Sequence, residues 1–226
     1  MDMIVVVSVG GSVLARALTP EKFKSYALAL KEISKKNTLF VVTGGGQAAR
    51  DYIGVARQLG ADEATCDLIG IELTRLNARL LIAALDGAAY YEPPLDYKEA
   101  KNASLSGKIV VMGGVAPGQT TDAVSAVLAE YTGADLLINA TSIDGVYTSD
   151  PKKDKDATKF ESMTPKQLIE IIIRTEMIAG ANSPTDMLAA KIIERSNIKT
   201  IVLDGENPQN IVDAVNGKHI GTVIQK

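Results

Sequence analysis

The stretch VVVSVGGSV, residues 5–13, decides the fold: a run of β-branched residues stops at two glycines and resumes at Ser12. A short apolar run closed by glycine reads as a buried strand. Paired glycines directly after a strand let a phosphate approach the backbone, yet no lysine stands nearby. The chain therefore presents a phosphate loop whose cation has to come from elsewhere.

Further runs of strand length, TLFVVT (38–43), KIVVMG (108–113), ADLLINA (134–140) and KTIVLDG (199–205), recur between longer stretches with helical spacing. That alternation predicts an α/β chain whose mainly parallel sheet is covered on both faces. Helix starts are readable as Ser183 with Pro184 and Asp186, Thr164 with Pro165, and Asn207 with Pro208, the last helix stopping at Gly217. Each places a capping oxygen before a proline that fits the first helical position, and Asp186 suits the positive end of its helix. Residues 90–107, with paired prolines, and the charged residues 149–159 read as exposed connections.

With 226 residues and 46% of them hydrophobic, the chain can bury a substantial core as a single domain over residues 1–226. A formal charge of −3 with scattered basic residues excludes the basic footprint of a nucleic-acid binder. Cys66 is the only cysteine, which rules out an internal disulfide and a cysteine metal site and reads as a small buried residue in a reducing compartment. His219 is the only histidine and sits in a polar stretch, which leaves it no second partner for a triad or a zinc site, and a surface place is expected. The N-terminus carries an acid where a signal peptide has bases, and no apolar run reaches membrane-spanning length; the expectation is a cytoplasmic protein with no membrane partner.

Three strands end in glycine turns: SVGGS (8–12), TGGGQ (43–47) and MGGVAPGQTTD (112–122). In an open parallel sheet such turns line one crevice, where backbone N–H groups and helix N-termini meet anions. None is a Walker A loop, because no Lys-Ser or Lys-Thr pair follows, and none is GxGxxG. Arg50 falls in the first turn of the helix after TGGG, where a guanidinium can meet phosphate oxygens. Asp122 falls at the start of the apolar helix after Thr120 and Thr121, either as a plain cap or as an acid facing the crevice. A fourth turn, NATSIDGVYTSDP (139–151), offers the aromatic face of Tyr147 and polar atoms from Thr141 and Asp150.

The ordered series VGGS, TGGGQAAR, CDLIGIELTRLNA, MGGVAPGQTTDAV, ADLLINATSIDGVYTSDP, DMLAAKIIERS and a closing GTVI spans nearly the whole chain. It resembles the amino acid kinase superfamily, and within it the archaeal-type uridylate kinases. The resemblance implies a three-layer α/β/α sandwich of the carbamate kinase-like kind, with roughly residues 1–125 as the phosphate-acceptor lobe and 126–226 as the ATP lobe. It also implies transfer of the γ-phosphoryl group of ATP to UMP in pyrimidine nucleotide synthesis, with Mg2+, by a homohexamer.

Carried over by position, the resemblance puts Ser8, Val9, Gly10, Gly11 and Ser12 along the ATP phosphates, with Gly46 and Arg50 on the same nucleotide. Thr141, Tyr147 and Asp150 would line the ATP nucleoside pocket. UMP would meet Gly45, Asp67 through its ribose hydroxyls, and the loop of Val115, Ala116, Pro117, Gly118, Gln119, Thr120 and Thr121. Gly11, Arg50 and Asp122 would surround the reacting phosphoryl group, with no metal ligand assigned to the protein. The chain departs from many relatives at Ser8, where they carry a lysine, and from most uridylate kinases at Ser142, where they carry an asparagine.

Phosphoryl transfer through a loose transition state needs position and charge compensation rather than a covalent nucleophile. An acceptor phosphate is already ionised at neutral pH, so no general base is required and Asp122 is expected to organise rather than deprotonate. The missing charge has to come from Mg2+, Arg50 or another basic residue, Lys191 being a candidate by its place in AAKIIERS. The residues leave two other readings open: a sister small-molecule kinase with another phosphorylated or carboxylated acceptor, and a nucleotide-binding protein of the molybdenum-storage kind.

Overall fold

The computed structural model describes residues 2–151, 153–176 and 185–226. In chain order the elements are β1 (Ile4–Val9), α1 (Gly11–Leu14), α2 (Pro20–Ser34), β2 (Thr38–Thr43), α3 (Gly46–Gln58), α4 (Glu63–Leu85), α5 (Tyr97–Ser104), β3 (Val110–Met112) and α6 (Thr121–Thr132). They continue with β4 (Leu136–Thr141), β5 (Ser162–Met163), α7 (Pro165–Glu176), α8 (Met187–Ser196), β6 (Thr200–Asp204), α9 (Gln209–Val215) and β7 (Thr222–Ile224).

The strands form one sheet in the order β3-β2-β1-β4-β6-β7-β5. The five strands expected from the sequence are all present and mutually parallel. β7 runs antiparallel to β6 and carries β5 at the edge. These two strands, of three and two residues, lie outside the expected set because they are too short for a pattern to declare itself.

Side-chain alternation along β1 builds the layers. Val5, Val7 and Val9 enter a core with α2, α4 and α9, whereas Val6 enters a second core with α5, α6, α7 and α8. The chain is thus the expected three-layer α/β/α sandwich. Valines fully buried on both faces of β1, each worth about 1.5–3 kcal/mol of transfer free energy, make it the central strand between the two cores.

Helix ends follow local chemistry, with two adjustments. Thr164 and Gln167 cap α7 reciprocally, the Thr164 N–H donating to Gln167 Oε1 (2.8 Å) and the Gln167 N–H to Thr164 Oγ1 (3.3 Å). Asn207 accepts from the Gln209 N–H (3.1 Å), so α9 begins one residue after Pro208. Asp186 is itself the N-cap of α8, accepting from the Ala189 N–H (2.9 Å), while the expected cap Ser183 and Pro184 lie outside the described residues. The stretch 90–107 is only partly a connection: Asp96 accepts from the Glu99 N–H (2.7 Å) and starts α5, and Ala100 and Ala103 are buried. No helix among the described residues is long and apolar enough to cross a membrane.

Candidate active site

Parallel β1, β2, β3 and β4 deliver their C-terminal turns to one edge of the sheet. The first two turns touch backbone to backbone. A Cβ at Gly11 would lie 2.1 Å from the Gly46 nitrogen, and one at Gly44 would lie 2.3 Å from the Gly11 nitrogen, so only glycine permits the approach. Gly46 opens α3 at a φ of +71°. Two buried polar residues of α4 support these turns: Asn77 Nδ2 donates to the carbonyls of Gly44 (2.8 Å) and Gly45 (3.2 Å), and Thr74 Oγ1 accepts from the Gly114 N–H (2.7 Å).

An open cleft of about 420 Å3 results. Gly10, Gly11 and Ser12 line it from the first turn, Gly44, Gly45, Gly46 and Arg50 from the second, and Thr120, Thr121 and Asp122 from the third. Thr141 reaches it from the fourth, joined by Asn139, Thr185 and Asp186. The N-termini of α3, α6 and α8 open onto this space, so backbone donors and helix dipoles favour anions there. Arg50 is exposed and forms no ion pair among the described residues.

Asp122 occupies the floor. Its Oδ1 accepts from Ser8 Oγ (3.1 Å), and its Oδ2 accepts from Asn139 Nδ2 (3.2 Å) and Thr185 Oγ1 (3.2 Å). Ser8 and Asn139 are register partners of β1 and β4, side by side on the face that carries α6. Burial raises the pKa of the Asp122 carboxyl above the ordinary aspartate value, the charge of Asp186 raises it further, and the three donors pull it back. Ser8 is only 2% exposed and Val9 is fully buried, so both lie beneath the cleft rather than on its wall.

Asp186 links two helix starts. Its Oδ2 accepts from Thr120 Oγ1, the N-cap of α6, while its Oδ1 caps α8. On the same third turn, the Gly118 N–H donates to Asp67 Oδ2 (2.8 Å), tying the loop 115–121 to α4, and Tyr97 donates to Gln119 Oε1 (3.0 Å). Asp67 and the expected Val115, Ala116, Pro117, Gly118 and Gln119 are thus brought together on the continuation of the cleft loop. Tyr147 donates to Asp144 Oδ1 (2.8 Å) and bridges to Lys159, and with Asp150 it lies outside the cleft on the segment leaving Thr141. Lys191 is exposed, pairs with Glu194 (3.2 Å) and does not line the cleft. Cys66 is buried and His219 exposed, as expected.

The sequence reading assigned no site role to Asn139, Thr185, Asp186, Thr74 or Asn77. A signal existed for Asn139: one amide at an inward position of an otherwise apolar buried strand requires a partner. Thr185 and Asp186 had only the signature of a helix start. Among the described residues no group of three or more His, Cys, Asp or Glu side chains is placed to hold a metal ion.

Residues 3–204 match the family described as the Amino acid kinase family. A uridylate kinase of Methanococcoides burtonii is 61% identical over 213 residues, 94% of this chain and 91% of that protein. A uridylate kinase of Halobacterium salinarum is 56% identical over 222 residues, 97% of this chain and 92% of that protein. The crystal structure of uridylate kinase from Archaeoglobus fulgidus superposes with a TM-score of 0.90 at 51% identity, covering 97% of this chain and 99% of that one. The UMP kinase structure from Bacillus anthracis, at 23% identity and a TM-score of 0.83, shares the fold.

Proposed function

The chain belongs to the amino acid kinase family, and from that premise we infer that it is a uridylate kinase, converting UMP to UDP by phosphoryl transfer from ATP. The observation that carries the reading in the structure is the convergence of the glycine turns of β1 and β2 and three helix N-termini on one polar cleft. Such a cleft suits several phosphates at once and offers no covalent nucleophile, which fits direct in-line attack by a UMP phosphate oxygen.

In this reading Gly10, Gly11, Ser12, Gly46 and Arg50 hold the ATP phosphates, and Ser8 and Val9 support that turn from below. Thr141, Tyr147 and Asp150 serve the ATP nucleoside. Gly45, Asp67 and the loop from Val115 to Thr121 hold UMP, a grouping supported by the bond between Asp67 and the Gly118 N–H. Residues 1–125 then form mainly the acceptor lobe and 126–226 the ATP lobe.

Magnesium is the proposed cofactor, arriving with ATP. The residues fit it: burial and then the like charge of Asp186 raise the pKa of the Asp122 carboxyl, and Mg2+ is commonly bound by one or two carboxylates plus substrate phosphates. Asp122 and Asp186 are the side chains that would face the ion, which when bound supplies charge neutralisation to the phosphates. Assembly as a homohexamer is proposed from the family resemblance, and apolar side chains exposed on the neighbouring helices α3 and α4, among them Tyr52, Val55, Leu68, Leu76 and Leu80, support self-association. A light-scattering mass of six chains is expected, and a monomer mass would overturn it.

The test of function is an assay with Mg·ATP and a panel of nucleoside monophosphates. Turnover with UMP well above CMP, AMP and GMP is expected. Equal rates with UMP and CMP, or none with either, would refute the reading.

A further inference from the structure

We propose that Ser8 and Asn139 are positioning residues for phosphoryl transfer, acting through Asp122, whose carboxylate they hold in one orientation, Ser8 from beneath the cleft and Asn139 from its lining. The inference rests on the kinase reading above and adds the residues that support that acid.

The register explains how the pair arises. Ser8 and Asn139 are adjacent partners on β1 and β4, on the face where the neighbouring positions Val42 and Val202 are apolar. A polar side chain in such a row costs free energy unless it is bonded, and both of these are spent on the same carboxylate. An isolated polar residue in the core would satisfy itself on any nearby backbone carbonyl. Two on adjacent strands converging on one acid form a support.

The geometry leaves the acid one way to act. A carboxylate offers about four lone-pair sites. Ser8 takes one on Oδ1, and Asn139 and Thr185 take two on Oδ2. The remaining site is on Oδ1, and Asp122 lines the cleft among the glycine turns and Arg50. Because all three donors are neutral, they fix the carboxylate without cancelling its charge.

The test uses the full-length enzyme with Ser8→Ala, Asn139→Leu and the rescue variant Ser8→Thr. Threonine keeps the hydroxyl, and a small cavity lined in part by Ser8, Ser125 and Leu137 adjoins this position. Loss of one hydrogen bond to a charged group predicts a fall in kcat of about tenfold for each removal variant, with KM for UMP and ATP within about twofold. Ser8→Thr should return kcat to near the parent value. In an Asp122→Asn background, Ser8→Ala should cost nothing further, because the residue acts through that acid.

Equal losses from Ser8→Ala in the parent and Asp122→Asn backgrounds would overturn the proposal, as would an effect confined to the melting temperature. Crystal structures give a readout independent of turnover: Asp122 should shift or split into conformers in the Ser8→Ala, Asn139→Leu double variant, and an unmoved carboxylate would overturn the inference. A parent enzyme inactive on UMP would instead defeat the kinase reading, leaving the crystallographic comparison to decide this one.

Discussion

Replacing Asp67 by asparagine tests the proposed division of the site into two nucleotide positions. Asp67 lies one turn into α4, and its Oδ2 already accepts the Gly118 N–H at 2.8 Å. Oδ1 has no hydrogen-bond partner among the described residues, so it is the atom available to a ribose diol. Asparagine is nearly isosteric but carries a single acceptor oxygen and no charge. It can hold the loop or accept from the ribose, not both, and either bond becomes a neutral one. Bonds to charged groups are worth about 1.5–3 kcal/mol against about 1 for neutral ones, so the change costs roughly 0.5–2 kcal/mol. At about 1.4 kcal/mol per factor of ten, KM for UMP should rise roughly 3- to 30-fold. KM for ATP, measured in the same coupled ADP-release assay at saturating UMP, should stay within about twofold. The preference for UMP over dUMP should shrink as well, since it depends on the diol finding its acceptor. An unchanged KM for UMP together with an unchanged UMP-to-dUMP ratio would refute the placement, and so would a matching rise in KM for ATP.

Gly11→Ala puts a methyl 2.1 Å from the Gly46 nitrogen and 2.7 Å from its Cα, atoms that cannot move aside cheaply, so a loss of about 1–3 kcal/mol or more in urea unfolding is expected with weaker ATP binding. Gly54→Ala, in α3 with nothing within 4 Å of the new atom, is the control and should be neutral or stabilising by up to about 1 kcal/mol. Arg50→Ala should raise KM for ATP about tenfold while leaving KM for UMP unchanged, because the guanidinium stands at the start of α3 beside the first two turns; a rise confined to UMP would reverse the assignment. Tyr26→Phe removes a buried hydroxyl that donates to the Gly205 carbonyl at 2.6 Å, and leaving that carbonyl unpaired should cost about 1–3 kcal/mol in the same unfolding assay. Burial and the nearby Glu206 and Asp204 push the Tyr26 phenol well above its ordinary pKa, so this loss should not vary between pH 6 and 9. Calorimetric titration with ATP should give at least about tenfold weaker binding in EDTA than in Mg2+, since two carboxylates face the cleft; equal affinity would contradict the charge argument.

Much of the architecture was legible because it rests on local signals. The β-branched run of β1 and its glycine stop mark a buried strand and the turn after it, the same reading holds for β2 and β3, and β4 and β6 are marked by their apolar runs. The glycine turns could be grouped in advance because parallel strands put like ends together. What escaped depends on register and length. Nothing local to Ser8 or to Asn139 says that the two are neighbours; that follows from pairing β1 with β4, which skips all the chain between them. Thr74 and Asn77 sit in an unbroken helix, and their support of the glycine turns appears only once α4 is packed under β2 and β3. Asp186 reads in sequence as an acid suited to the positive end of its helix, and only folding shows that it caps α8 and that its second oxygen meets the cap of α6.

The placement of Ser8 also settles what a lysine-free first strand requires. The side chain at this position points away from the core of α2 and α4 and toward Asp122. Serine makes the contact and leaves the charge standing. Among the described residues the cleft is lined by two carboxylates, Asp122 and Asp186, and one guanidinium, Arg50. Backbone N–H groups and helix N-termini attract phosphates but carry only partial charges, about half a unit per helix end. A triphosphate and a monophosphate brought together over this floor exceed what those donors and Arg50 can balance. In the proposed function the balancing charge enters as Mg2+ with ATP, and a neutral support beneath Asp122 leaves that acid facing it.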